Sequence, residues 1–387
     1  MVTVVQGVVK DYAWGIVDGL APWCGGSTGR PQAELWFGAH PSAPSPVVFP
    51  AGLTAGTTLA DMFDEHEIPL LVKLLAAAQP LSVQVHPGAD LARRRWSDQQ
   101  VSGGPQILAD GNEKTELIVA IEPFEAFVGW RPDDEAVAIL SRIPSAVAGA
   151  ELLATGDRIA AIRAILVAEG IEEAVALLPD ASRGAGLPAI ECTAYETVAS
   201  MYPGDKGALL TALLAHVSLD VGSAIYVPAG VPHSYIRGLG LEVMTTSDNV
   251  LRLGLTPKPI FIEEAIEALD LRASPQVLGR SVGELIAPPG APFEALLARG
   301  LMGTIDTDAS ETPDDAGCVG RGMQEHAAQI IMRRGRLRLC LAIEGAALIT
   351  TDSESVVLNA GTAAIIPHGD SAAMVSASGL VALVAGR

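Results

Sequence analysis

Positive charge is scarce in this 387-residue chain: 25 lysines and arginines stand against 45 aspartates and glutamates, a formal net charge of −20 at neutral pH. A nucleic-acid partner needs a basic face to neutralise its phosphates, so this balance argues against one. Long apolar runs are missing as well. Hydrophobic residues make up 49% of the chain and the mean hydropathy is +0.34, yet they are dispersed. The most apolar helix-like run, 70–78, is short and interrupted by Lys73. A bilayer span needs about 20 such residues, so no membrane helix is expected. The start lacks a basic stretch followed by an apolar block, so no signal peptide is expected and the predicted compartment is the cytoplasm. The four cysteines, Cys24, Cys192, Cys318 and Cys340, form no Cys-x-x-Cys pair. Reduced thiols are expected, with Cys340 buried in a strand over 337–343.

What is present is a series of short β-like stretches punctuated by glycine and proline. In segment 81–87, Ser82, Gln84 and His86 alternate with Val83 and Val85. Residues two apart share a strand face, so three polar groups point one way and two β-branched residues the other. Turned inward, Gln84 and His86 offer an oxygen and an imidazole to a metal; turned outward, they belong to an ordinary half-exposed strand. A downstream segment favours the first reading. From Gly222 the chain runs Gly, five residues, Pro-x-Gly, two residues, His233. This is a strand entering a tight turn, with Pro228 and Gly230 supplying the backbone angles and His233 opening the next strand. The spacing resembles the second half of the cupin signature. The same punctuation recurs from Gly361 to Gly369, but Ala372 stands where the earlier copy has His233. A second, metal-free barrel is therefore expected, with His368 a solvated turn residue.

Between the two copies, 133–182 changes to Ala, Leu, Ile and Glu at helical spacing, with Ile159, Ile162, Ile165 and Leu166 on one face. This predicts a helical insertion packed beside the barrel. Short helices are expected over 58–64, 262–269 and 206–216, the last placing His216 at a helix end rather than in a metal site. The acidic stretch 306–315 is read as a solvated turn. The predicted fold class is mainly β with an α insertion: two cupin-type jelly-roll barrels plus a helical domain. The expected division is 1–132 and 217–272 for the two parts of a catalytic barrel, 133–216 for the helices, and 273–387 for the C-terminal barrel.

Asn112-Glu113-Lys114-Thr115-Glu116 precedes the apolar run 117–121, so Lys114 and Glu116 are expected on one strand face. Gln84, His86, Glu116 and His233 then offer two imidazoles and two oxygens. That set suits one zinc ion per chain and leaves room for water or substrate, although ligand type alone does not separate zinc from a redox iron. One anionic ligand against a dication keeps such a site electrophilic. Glu242, in Leu241-Glu242-Val243, is a candidate proton-transfer group. Arg252 with Lys258 is a candidate phosphate anchor, a local positive charge that an acidic chain needs if its substrate is anionic.

Three long runs resemble the type I, zinc-dependent mannose-6-phosphate isomerase family: 33–42 (AELWFGAHPS), 70–87 (LLVKLLAAAQPLSVQVHP) and 247–258 (SDNVLRLGLTPK). The resemblance implies a zinc aldose–ketose isomerase interconverting mannose 6-phosphate and fructose 6-phosphate. Its metal ligands fall on Gln84, His86, Glu116 and His233, and its catalytic arginine on Arg252. Its substrate pocket falls on Ser82, Lys114, Tyr235, Glu242 and Lys258, with Ser82 and Lys258 nearest the phosphate. Such a reaction moves a proton between C1 and C2 through a cis-enediol. Glu242 is the expected base, Lys114 its main competitor, and Arg252 a stabiliser of charge because a guanidinium stays protonated. Where the family commonly has Asn-His-Lys-Pro-Glu, this chain has Glu113 and Thr115; a proton relay there is either absent or carried by the Glu113 carboxylate, or Glu113 faces away from the cavity, which strand alternation favours if the strand extends that far. The implied partner is a phosphorylated hexose, and no obligate protein partner is evident. Two alternatives stand beside this reading: a related zinc isomerase of another free or phosphorylated sugar, and a non-catalytic sugar- or metal-binding cupin. The second is disfavoured because passive binding needs none of Lys114, Glu242, Arg252 and Lys258.

Overall fold

The run at 70–78 folds as a strand, Leu70–Ala77, and not as a helix; all eight of its residues are buried. A continuous apolar run carries no period that would separate a strand covered on both faces from a buried helix. In the computed structural model, which describes residues 1–50, 52–64, 66–301, 319–321, 330–332 and 336–387, this strand lies between Glu34–Phe37 and His233–Thr245. The acidic stretch 306–315 and Cys318 lie outside the described residues.

The protein is mainly β, with curled antiparallel sheets and a block of helices. One sheet of eleven strands follows the path Gln276–Leu278, Ala224–Val227, Glu116–Ala120, His233–Thr245, Leu70–Ala77, Glu34–Phe37 and Val8–Lys10. Its curl comes from the thirteen-residue strand His233–Thr245. The first part of that strand pairs with Phe124–Trp130, and the remainder with Leu70–Ala77 and Glu116–Ala120. The change of partner is made at Gly238, where φ is +130° and a Cβ would come within 2.6 Å of the Pro123 carbonyl oxygen, so only glycine fits. The curl brings Gln84 opposite His233 at one end of the sheet.

A second, ten-stranded sheet is built around the long strand Ala373–Gly386. Thr3–Gln6 pairs here with Thr362–Ile366 on one side and with Val47–Phe49 on the other. The expected assignment of 1–132 to one barrel therefore does not follow the hydrogen bonding: the chain begins in the C-terminal sheet. Strand pairing is non-local, and nothing in the composition of 3–6 says which edge it will join. The two sheets share a core in which Leu35, Phe37, Leu74 and Val243 meet Leu339, Ile365 and Val384; each such side chain contributes about 1.5–3 kcal/mol on burial.

Five helices, Asp133–Leu140, Val147–Ala154, Arg158–Val167, Ile171–Gly184 and Ala189–Met201, form the helical block. Ile162, Ile165 and Leu166 are buried in a core shared with Phe127, Leu251 and Leu253, with Ile159 at its margin. Arg131 ties this block to the sheet, donating to the Leu214 carbonyl at 3.2 Å and pairing with Glu135 and Glu191. The expected helix over 206–216 is only partly there. One turn, Gly207–Leu210, and a 3-10 turn, Thr211–Leu213, give way to the strand Leu214–Leu219. His216 is thus a mid-strand residue opposite Phe127, with Nε2 3.5 Å from Glu125; pairing with Phe124–Trp130 overrides the helix preference of Leu and Ala. The other two short helices are Leu59–Met62 and Ile262–Ala268. Among the described residues, no helix is long and apolar enough to cross a membrane. Cys24, Cys192 and Cys340 are free thiols, Cys340 buried in Arg338–Ala342.

Both Pro-x-Gly turns place their glycine at positive φ, +83° at Gly230 and +88° at Gly369. In the C-terminal copy the buried Arg338 side chain donates to the carbonyls of Pro367, Asp370 and Ser371, while His368 is exposed. The first copy is more crowded. A Cβ on Gly230 would lie 2.7 Å from the Asp270 Cβ and 3.0 Å from its amide nitrogen, and the Gly230 amide donates to the His86 carbonyl. Gly230→Ala is expected to cost about 2–3 kcal/mol, the strain of a left-handed non-glycine plus a close contact. Urea denaturation of the two proteins measures it, with Gly369→Ala, whose Cβ meets nothing within 4 Å, the milder change.

Candidate active site

Three elements converge at the curled end of the eleven-stranded sheet. The strand Val83–Val85 carries Gln84 and leads into His86. Glu116 opens Glu116–Ala120, and His233 opens His233–Thr245. Gln84 lies between His233 and Arg252 in register, so cross-strand pairing sets three polar side chains in one row.

His86, Glu116 and His233 are buried, and one ligand atom from each lies within 4.8 Å of the others. His86 Nε2 is 3.2 Å from Glu116 Oε1, and His233 Nε2 is 3.3 Å from Glu116 Oε2. Both tautomers are set from behind. His86 Nδ1 donates to the Asn249 carbonyl at 2.7 Å, and His233 Nδ1 to the Val231 carbonyl at 3.0 Å. A carbonyl can only accept, so each ring carries a proton on Nδ1 and turns Nε2 inward, the nitrogen a metal would take. His86 Nε2 has no hydrogen-bond partner, and such a buried orphan atom calls for one. Burial, with help from Lys114, pushes the His86 pKa down to about 4, so the ring is neutral at pH 7.

Burial would raise the Glu116 pKa, but Lys114 and the two histidines outweigh it and hold it well below the usual carboxylate range. Lys114 Nζ is 2.8 Å from Glu116 Oε1, and the Tyr235 hydroxyl donates to Oε2 at 3.2 Å. Lys114 precedes the strand and does not share a strand face with Glu116; it reaches the carboxylate from the loop. Tyr235 touches Glu116 and also lines the cavity. The Gln84 amide is 3.1 Å from His233 Nε2, and its other end accepts from Ser82 Oγ at 3.0 Å. A half-turn of the amide exchanges its two ends, so an oxygen can stand beside His233 while the nitrogen donates to Ser82. The buried cluster itself offers two imidazole nitrogens and one carboxylate, a set that fits a borderline dication such as zinc.

A cavity of about 410 Å³ opens in front of this cluster, lined by Ser82, Gln84, Lys114, Glu116, Tyr235, Glu242, Arg252 and Lys258. All ten candidate residues are therefore in the cluster or at the cavity. Glu113 is exposed and is not among the cavity residues; the strand starts only at Glu116, so strand alternation does not govern where it points. Sequence reasoning missed one side of the cavity. Lys73, named only as an interruption of an apolar run, is buried with Nζ 2.8 Å from Glu242 Oε2 and 3.9 Å from Glu34 Oε2. It lies 4.8 Å from the centroid of Trp36, whose indole nitrogen donates to Glu34. Burial alone would depress the Lys73 pKa, but Glu242, Glu34 and Glu116 raise it above the ordinary lysine value. Glu242 itself is shifted up by burial, reinforced by Glu116 and Glu34 and opposed by Lys73.

The other end of the cavity is cationic. Arg252 is half-buried and Lys258 stands at the exposed rim. Among the described residues neither has a carboxylate at ion-pair distance: Arg252 reaches only the Val250 carbonyl, and Lys258 Nζ lies 5.0 Å from the Tyr12 ring centroid. Burial, and for Lys258 the neighbouring Arg252, lower both pKa values. Asp248, which lines the same cavity, opposes the shift in both, and Glu34 opposes it in Lys258, so the positive charge at this end is only partly compensated, as an anion-binding site needs.

Residues 2–133 match the family model for the catalytic domain of phosphomannose isomerase type I. The mannose-6-phosphate isomerases of Salmonella typhimurium and Escherichia coli are each 31% identical to this chain, over 97% of it and 97% of their own length. Among solved structures, a variant of the Salmonella typhimurium phosphomannose isomerase superposes with a TM-score of 0.81 at 26% identity, covering 100% of this chain and 99% of that one. A mannose 6-phosphate isomerase bound with zinc and yttrium gives 0.79 at 27% identity, with the same coverage.

Proposed function

The chain belongs to the type I phosphomannose isomerase family, and from that premise we propose that it interconverts mannose 6-phosphate and fructose 6-phosphate through a cis-enediol, with zinc as its metal. The observation that carries the zinc reading is the buried pair of imidazoles, each fixed from behind through Nδ1 and each turning Nε2 toward Glu116. Gln84, His86, Glu116 and His233 would hold the ion, and a structural relative carries zinc. Bound there, zinc supplies a Lewis acid that polarises a sugar oxygen.

The remaining work falls to the chain's own side chains. Glu242 is the proposed base. Its Oε2 is held by Lys73, which leaves Oε1 to take the proton from one carbon and return it to the other. A proton affinity raised by burial above the usual carboxylate value suits that task. Lys73, kept charged by its carboxylates, serves as the counter-ion rather than as a base. Lys114 is bound to Glu116 and orients that carboxylate, and Arg252 faces charge that develops on the substrate oxygens. Lys258 and Ser82 meet the phosphate. We read the eleven-stranded and ten-stranded sheets as two cupin-type barrels, with the helices as an insertion in the first, and the cytoplasm as the site of action.

The test is a coupled assay with mannose 6-phosphate before and after chelation. Chelated protein is expected to lose nearly all turnover and to recover it on adding one equivalent of zinc. Absence of turnover despite bound zinc would overturn the assignment.

A further inference from the structure

Asn249 is fully buried next to the metal cluster and is not among the cavity residues. Its carbonyl accepts from His86 Nδ1 at 2.7 Å. Its side chain makes five hydrogen bonds, all across to one loop. Oδ1 accepts from the amides of Ala109 and Asp110 at 2.8 and 3.2 Å. Nδ2 donates to the carbonyls of Asp110 and Asn112, both at 2.9 Å, and to Asp110 Oδ1 at 3.0 Å. The Asp110 carboxylate closes the knot by accepting from Ser247 Oγ, the Asp248 amide and the Asn112 amide. One amide thus clips 109–112, the loop that leads into Lys114 and Glu116, onto 247–249, the segment that aims His86.

We propose that Asn249 is a positioning residue for the metal centre: by fixing these two segments to each other it sets the aim of His86 Nε2, and with it the metal affinity of the site. The proposal rests on the reading of His86 as a ligand. A peptide carbonyl behind a ligating histidine has no charge of its own to hold the ring in place, so its direction depends on how rigidly its backbone is held. At residue 249 that rigidity comes from the residue's own side chain. An alanine there keeps the carbonyl and removes all five bonds that fix it.

The experiment measures zinc dissociation constants by competition with a chromogenic chelator on apo-protein. Asn249→Ala is expected to bind zinc roughly 10- to 100-fold more weakly than wild type, the range seen when outer-shell partners are removed, and Asp110→Ala, which removes one of the five bonds, is expected to lose less. Thr245→Val removes separate ties just beyond that loop, where Thr245 Oγ1 donates to the Glu113 carbonyl and accepts from the Thr115 amide, and is expected to stay within about threefold of wild type, the size of an ordinary local substitution. At saturating zinc, the KM of Asn249→Ala for mannose 6-phosphate is expected to be unchanged, because the residue lies outside the cavity. Wild-type zinc affinity in Asn249→Ala, or an equal loss in Thr245→Val, would overturn the proposal. If Asn249→Ala fails to fold, the isosteric Asn249→Asp, which removes the three donated bonds and keeps the two accepted ones, carries the same test. Failure of wild type to bind zinc, or full binding by His86→Ala, would overturn the ligand reading itself and is distinguished from failure of the positioning role.

Discussion

His233→Ala is expected to purify folded, with little bound zinc and with turnover reduced by roughly a thousandfold or more, since a lost ligand removes several kcal/mol of metal-derived stabilisation. His233 is fully buried and contributes one of the two imidazoles. Without it, Glu116 keeps Lys114 and Tyr235 as partners, which satisfies the carboxylate but leaves one imidazole to hold a dication. The fold is expected to survive because the rest of His233–Thr245 stays paired on both sides; the cavity left behind costs about 2–4 kcal/mol. His233→Gln, which restores a neutral oxygen donor, is expected to fall between alanine and wild type in zinc content. Elemental analysis of zinc per chain, the coupled assay and circular dichroism on the same preparations check all three statements. Full zinc and full activity in the alanine variant would remove His233 from the metal shell.

The parts of this site that local pattern could reveal are those whose chemistry is written into backbone punctuation. Gly222, Pro228, Gly230 and His233 stand at spacings a tight turn demands, and Gln84 and His86 alternate with valines as a strand demands. Lys73 and Glu34 carry no such mark. Glu242, the partner of Lys73, sits directly across from it in the neighbouring strand, far away in sequence. The one local hint was physical: a lysine inside a fully apolar strand must find a carboxylate, because an unpaired buried ammonium is too costly to keep. Asn249 was hidden for a related reason, since its partners lie in a loop more than a hundred residues upstream. The same non-locality hid the pairing of Thr3–Gln6 with the C-terminal sheet. His216 was misplaced because helix preference in 206–213 does not say where a strand partner will take over.

Arg252 and Lys258 both supply positive charge to the cavity, but their places in the fold predict different kinetic roles. Arg252 pairs with Gln84 across the sheet, and Gln84 pairs with His233, so its guanidinium rises from the same row as the metal cluster. Lys258 stands beyond that strand, on a loop held by the Asp205 carboxylate through the Thr256 amide, and reaches the cavity rim. Arg252→Ala is therefore expected to lower kcat by roughly 10²–10³-fold with a smaller change in KM, the signature of a donor used mainly where charge develops. Lys258→Ala is expected to raise KM about tenfold or more with kcat nearly unchanged, the loss of one charge-assisted contact to a phosphate that is bound equally well throughout. Arg252→Lys is expected to recover little, because an ammonium cannot reproduce the planar fork. Steady-state kinetics with mannose 6-phosphate separate the two effects, and inhibition by inorganic phosphate adds an independent reading: its inhibition constant should rise with KM in Lys258→Ala and move little in Arg252→Ala. If Arg252→Ala instead raises KM and the phosphate inhibition constant together while kcat holds, the two residues exchange roles, and the phosphate must sit deeper in the cavity, beside Gln84.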